Sequence, residues 1–170
     1  RILFDRIPKP DVITWSAYIA RIAENGHAEE ACRLYEKMLR KGLVPDKVTF
    51  IILLTACSHA GLLDEACDFF YSMVQMYNLK PTIDHYACMI DLLGRAGRLQ
   101  EAENLLKKAP CRHNTVLYKT LLGACMQQSD VERGENAAKA VFLLDRHDPT
   151  PYIMLRNLYS VTERGANMEI

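Results

Sequence analysis

Apolar residues along the chain recur at spacings of three and four, the periodicity of an amphipathic helix, and the helical stretches themselves recur. In VITWSAYIARIAENG the residues Ile13, Trp15, Ile19 and Ile22 form one apolar face, and Asn25-Gly26 supplies a stop where the backbone must turn left-handed. A second helix follows with Ala31, Leu34, Tyr35 and Met38 in register, closed by Lys41-Gly42 and Pro45. The same order of helix, turn, helix and proline returns from Asp46, with Phe50, Leu53, Leu54 and Cys57 before the Gly61 turn and Ala66, Phe69, Phe70 and Met73 after it. A third unit from Thr82 carries Tyr86, Met89, Ile90 and Leu93, then Gly94 to Gly97, then Ala102, Leu105 and Leu106, with Pro110 shortening its second helix. A fourth, from about Thr115 to Pro149, has Leu117, Leu121, Leu122 and Cys125, a weaker turn at Gln128-Ser129-Asp130, and Ala137, Ala140, Val141 and Leu144. TPYIMLRNLYSVTERG predicts the first helix of a fifth unit and ILFDRIP the tail of an earlier one, so both ends read as truncated repeats.

The period makes this an array rather than a single core. Phe50 falls on Trp15 at a shift of 35 residues, on Tyr86 at 36, and the following steps to Tyr118 and Tyr152 are 32 and 34. A repeat in the thirties predicts an all-α solenoid of helix-turn-helix modules. The five aromatics at this one repeat position are expected as wedges between helices, not as platforms for stacking bases. Glu29-Glu30, Asp64-Glu65 and Gln100-Glu101 open the second helices, where acidic groups favour the positive end of the helix dipole.

Charge and cysteine usage narrow the function classes. Twenty-one basic and 21 acidic residues give a formal net charge of zero, which excludes a large sequence-blind grip on nucleic acid or an anionic membrane and leaves binding through bases and hydrogen bonds. The basic residues Arg95, Arg98, Lys107, Lys108, Arg112 and Lys119 gather in the third unit and its exit, and are expected as a solvated face. No apolar run reaches the roughly 18 to 20 residues that span a bilayer. The start, RILFDRIPKP, is neither a signal peptide nor a transit peptide, and without an initiator Met an address segment is expected to have been removed. Six cysteines show no CxxC pair. Cys32 with Cys67, and Cys57 with Cys125, occupy equivalent repeat positions, so reduced thiols buried at helix contacts are expected, in an intracellular or organellar compartment. His59, His85 and His147 stand singly, without a nucleophile at a catalytic spacing.

The residues resemble the pentatricopeptide-repeat (PPR) family, specifically its plant PLS subclass, in which repeats of about 35, 36 and 31 to 32 residues alternate. Residues 11–45 resemble a P-type repeat (NGxxEEAxxLYxKMxxxGxxPD), 46–81 an L-type repeat (VTFxxxLxACSHAGLxDEA) and 82–113 an S-type repeat (DHYACMIDLLGRAGRLQEA). Residues 114–149 resemble the E1 motif (LLGACMQQSDVERGENAAKAVFLLD), 150–170 the opening of E2, and 1–10 the tail of a preceding S-type repeat. The resemblance implies a right-handed superhelical solenoid of PPR/TPR-like repeats that recognises single-stranded organellar RNA and directs cytidine-to-uridine editing in the mitochondrion or chloroplast. It implies no enzyme activity and no cofactor for this chain. Accessory editing factors and a cytidine deaminase domain, in cis or in trans, are the implied partners, and no membrane is.

In such repeats the fifth residue of the first helix meets the base edge, the last residue of the repeat supports it, and the second packs against base faces. Carried onto this sequence, the first full repeat has Ser16, Asp46 and Ile13 in those roles, the second Ile51, Thr82 and Val48, and the third Ala87, Asn114 and Asp84; Asp11 closes the incomplete repeat before them. Ser16 with Asp46 resembles the family's guanine-preferring pair, while Ile51 and Ala87 carry no polar side-chain atom. His27-Ala28-Glu29 and Pro110-Cys111-Arg112-His113 imitate parts of the zinc-deaminase signature, but the second cysteine is missing and no metal site is expected. The alternative is a protein-binding scaffold of the tetratricopeptide kind, which would want Trp, Leu-Gly and Tyr at set offsets that WSAYIARI lacks.

Overall fold

The structure, a computed structural model, describes Phe4 and residues 7–168, with side-chain surroundings up to residue 162. Among the described residues it consists of nine α-helices and no strand: α1 Val12–Glu24, α2 Ala28–Arg40, α3 Lys47–Ala60, α4 Leu63–Gln75, α5 Ile83–Arg95, α6 Leu99–Lys108, α7 Thr115–Gln127, α8 Val131–Leu144 and α9 Thr150–Met168. They form an all-α helical-repeat fold. By contacts the chain divides into two compact units, Arg1–Pro81 and Thr82–Ile170.

Each pair begins with a cap and turns on a left-handed residue. Asp11, Asp46 and Asn114 precede α1, α3 and α7, and their side chains accept from the amides of Thr14, Thr49 and Val116, each at 2.8 Å. Those bonds satisfy donors that a helix start leaves without partners, about 0.5–2 kcal/mol each. Between the helices of the first three pairs the chain turns on Gly26, Gly61 and Gly97 with φ of 81°, 72° and 72°. In the fourth, Ser129 holds the same conformation at φ 56°, which costs a residue with a Cβ roughly 1–2 kcal/mol.

The first unit packs around Trp15, Ile19, Ala31, Tyr35, Met38, Phe50, Leu53 and Met73. Phe50 is fully buried, with ring centroids of Tyr35 and Tyr77 at 6.0 and 5.7 Å. Of the opening ILFDRIP, Phe4 lies against Trp15 and Tyr18, while residues 2, 3, 5 and 6 lie outside the described residues. The second unit buries Tyr86, Met89, Ile90, Leu117, Leu122, Ala138, Val141 and Leu158. Its helices α5 and α7 touch at Gly94, where a Cβ would collide with that of Ala124, and Gln128 Nε2 donates to the Gly94 carbonyl at 3.0 Å.

Four expectations from the pattern change. Ile13 is 74% exposed, because two residues before Trp15 it points away from the face that Trp15, Ile19 and Ile22 share. Leu144, in the last turn of α8, is also exposed. Cys57 and Cys125 are buried, but Cys67 is exposed and Cys32 half-buried, since they sit at the flank of the second helices. Tyr152 is 64% exposed, unlike Trp15, Phe50 and Tyr86. Tyr118 is half-buried, and Tyr152, on the 19-residue α9, lies against the Phe142 ring at 4.4 Å.

Candidate nucleic-acid interface

The residues assigned to recognition all fall at the start of the first helix of a pair. Asp11, Asp46, Thr82 and Asn114 are the residues that cap α1, α3, α5 and α7. A helix start alone would select these side chains, so their polarity has a structural cause before any functional one. Two residues on stand Ile13, Val48 and Asp84, all exposed; Val48 is 57% exposed. Five residues on from the cap stand Ser16, buried, and Ile51 and Ala87, half-buried.

Ser16 and Asp46 are joined through a residue that the sequence reading missed. Ser16 Oγ lies 2.8 Å from Thr49 Oγ1, and Thr49 Oγ1 donates to Asp46 Oδ1 at 2.9 Å. The same carboxylate oxygen accepts from the Thr49 amide at 2.8 Å, and Thr49 Oγ1 accepts from the Asp46 amide at 3.3 Å. The available signal was the Asp-x-x-Thr spacing of a reciprocal helix cap, present at Asp11-Thr14 and again at Asp46-Thr49. At the first of these Thr14 Oγ1 donates to Asp11 Oδ1 at 2.6 Å, and Thr14's side-chain and amide bonds together hold the Asp11 carboxyl below its ordinary pKa.

The other assigned sets are built differently. Thr82 bonds His85 instead, its amide donating to Nδ1 at 3.1 Å with its hydroxyl 2.7 Å from the same nitrogen. Ile51 and Thr82 fall in different units. Asn114 uses its side-chain oxygen on Val116, and Ala87 offers it no partner atom. The register does continue into the fourth pair, where the sequence steps carry Ala87 to Lys119 and Asn114 to Asp148. There Lys119 Nζ and Asp148 Oδ2 form an ion pair at 2.9 Å. The Thr150 side chain and then Lys119 push the Asp148 pKa down to about 2.

Most basic residues around the third pair are ion-paired. Of the basic residues around the third pair, Arg95 pairs with Asp91, Arg98 with Glu101, Lys107 with Glu103 and Lys119 with Asp148. Lys108 and Arg112 form no ion pair among the described residues. One turn beyond Ser16 a groove opens between α1 and α3, lined by Ala20, Ala23, Glu24, Ile51, Thr55 and His59. Exposed β-branched side chains beside an uncharged hydroxyl and a carboxylate suit a flat ring with a polar edge better than a run of phosphates. Among the described residues no three His, Cys, Asp or Glu side chains come together as a metal site, and no helix is long and apolar enough to cross a membrane. His27 stands just before α2 without a side-chain cap bond, and Glu29 pairs with Arg33.

Tandem helix pairs with this cap geometry define a helical-repeat protein. Models of the PPR repeat family match residues 10–59, and models of the PPR repeat match 48–77 and 84–112. Two pentatricopeptide repeat-containing proteins of Arabidopsis thaliana, the second described as mitochondrial, are each 42% identical over 95% and 98% of this chain, which covers 27% and 26% of their lengths. The chain therefore spans about a quarter of these curated relatives. The solved structure of PPR10, a pentatricopeptide repeat protein from maize, in complex with an 18-nt psaJ RNA element superposes with a TM-score of 0.77 at 21% identity, over 96% of this chain and 24% of that one. The chain belongs to the pentatricopeptide-repeat family.

Proposed function

We propose that this chain is a single-stranded RNA-binding module that reads bases without catalysing a reaction. The observation that carries the reading is the Ser16–Thr49–Asp46 chain of hydrogen bonds, which joins the fifth residue of one repeat to the last across two helices. Ile13 and Val48 expose apolar surface on which base faces can pack, and the formal net charge of zero leaves affinity to base contacts rather than to phosphates. PPR10, a structural neighbour, was crystallised on RNA, which supports the same substrate class here. Within that reading we assign the PLS subclass, with repeats at 11–45, 46–81 and 82–113, an E1-like motif at 114–149 and an E2-like start at 150–170. The full protein then acts in an organelle as a guide for cytidine-to-uridine editing, with accessory factors and a deaminase as partners; the mitochondrial relative supports the compartment.

The test is selection from a randomised single-stranded RNA pool, using the 170-residue chain alone and appended to PPR repeats of known RNA preference. Enrichment of guanine at one nucleotide beyond the array's own site, moving toward uracil with Ser16→Asn, is the expected result. Enrichment identical to that of the array alone refutes base reading by this chain. A protein-binding role is favoured by one feature of the second unit, where Phe142, Leu143 and Tyr152 line an apolar groove flanked by Lys139 and Arg146. Capture of a partner protein with no RNA enrichment is the outcome that would establish it.

A further inference from the structure

We propose that Thr49 is a specificity-determining positioning residue: it fixes the direction of the Ser16 hydroxyl so that Ser16 and Asp46 present two hydrogen-bond acceptors, an edge complementary to guanine in single-stranded RNA. The inference rests on the RNA-reading function proposed above and concerns a residue outside the pair assigned to base contact.

The proton inventory leads to it. A threonine hydroxyl has one proton and two lone pairs. Thr49 donates its proton to Asp46 Oδ1 at 2.9 Å, a carboxylate oxygen that can only accept. Its lone pairs then face the Asp46 amide at 3.3 Å and Ser16 Oγ at 2.8 Å. With the Thr49 proton committed, the bond to Ser16 has one direction: Ser16 donates and Thr49 accepts. Thr49 is completely buried and all three of its hydroxyl valences are filled, so water has no access through which to reverse the arrangement.

The consequence falls on the two outer groups. Ser16, having given its proton inward, keeps only lone pairs for a ligand. Asp46 uses Oδ1 for its cap, and among the described residues no hydrogen bond reaches Oδ2. Both groups therefore accept, with one hydroxyl between them. On its Watson–Crick edge guanine carries two neighbouring donors, N1–H and the 2-amino group. Adenine and cytosine each offer a donor beside an acceptor, and uracil one donor between two acceptors. A serine free to rotate could serve either polarity; Thr49 removes that freedom. Ser16 is 4% exposed, which demands a slim group such as a base edge rather than a bulkier one. The equivalent positions elsewhere are Thr14, already donating to Asp11, then His85 and Leu117, so among the described residues the Ser–Thr–Asp bridge belongs to the first full repeat.

The test uses the chain appended to PPR repeats of known preference and RNAs that differ only at the nucleotide facing the first full repeat. With the unmodified protein, replacing guanine by inosine removes the 2-amino donor and keeps N1–H and O6; binding is expected to fall about ten-fold. Inosine bound as tightly as guanine would mean that Ser16 donates to O6, and would overturn the proposal without any mutation. Thr49→Val, nearly isosteric, is expected to bring adenine and guanine within about two-fold of each other, and Thr49→Ser to restore the preference. A guanine preference lost in Ser16→Ala but intact in Thr49→Val overturns the role of Thr49 and leaves base reading standing. No preference at that nucleotide in the unmodified protein overturns both.

Discussion

Two aromatics at one repeat position, Phe50 and Tyr152, differ in burial, and their truncation tests the packing account. Phe50 is fully enclosed, with Tyr35 and Tyr77 rings at 6.0 and 5.7 Å. Phe50→Ala removes a benzyl group's transfer free energy, leaves a cavity and abolishes two aromatic contacts, together about 3–5 kcal/mol. A domain of this size has only about 5–15 kcal/mol in total, so the first unit would be close to unfolded at room temperature. Tyr152 is 64% exposed, and Tyr152→Ala is expected to cost under about 1 kcal/mol, mostly from the Phe142 contact at 4.4 Å. Urea titrations of both variants, followed by far-UV circular dichroism and by Trp15 fluorescence as a probe of the first unit, give the two free energies. Equal losses, or a larger loss for Tyr152→Ala, would refute the argument that the burial of the repeat aromatic sets the cost of removing it.

Three further outcomes follow from local geometry. Ser129→Gly relieves the left-handed residue at φ 56° and is expected to raise stability by about 0.5–1 kcal/mol, read as a higher thermal midpoint; a lower midpoint would contradict the strain. Gly94→Ala drives a methyl into Ala124 where α5 meets α7, and should cost about 1–3 kcal/mol in the second unit, against nothing measurable if the helices slide apart freely. Asp148 has a folded pKa of about 2, below its unfolded value near 3.9, so its stabilising contribution is present above pH ~4 and is lost as the pH falls through about 2. The difference in thermal midpoint between the wild type and Asp148→Asn should therefore shrink between pH 4 and pH 2, and a constant difference would show that the charge on Asp148, held by Thr150 and Lys119, adds nothing to stability.

The helices were legible in the sequence because burial at one repeat position is imposed by local periodicity: Trp15, Phe50 and Tyr86 are where the pattern puts them. Tyr118, half-buried, and Tyr152, exposed, depart from it, since cover comes from neighbouring helices and not from the residue's own helix. Ile13 fits the apolar spacing of its helix, yet its exposure takes it off the buried face. The Ser16–Asp46 association followed from the resemblance to the family, but Thr49 did not, because a hydroxyl inside a helix cap has an obvious local task and gives no sign of the residue 33 positions away that bonds to it. Lys119 was read as one of a basic group, although its register matched Ala87 and its partner Asp148 matched Asn114.

The central claim, that the first full repeat reads a base through Ser16 and Asp46, is tested most directly by Asp46→Asn. Asparagine caps a helix about as well as aspartate, so the fold should be retained while one acceptor becomes an amide that can also donate. The measurement is the ratio of affinities for two RNAs that carry guanine or adenine at the facing nucleotide, with the chain appended to repeats of known preference. The account predicts a guanine preference of about ten-fold in the wild type, which reverses in favour of adenine in Asp46→Asn. An unchanged ratio in a variant of unaltered stability would contradict it and leave Asp46 as a helix cap alone.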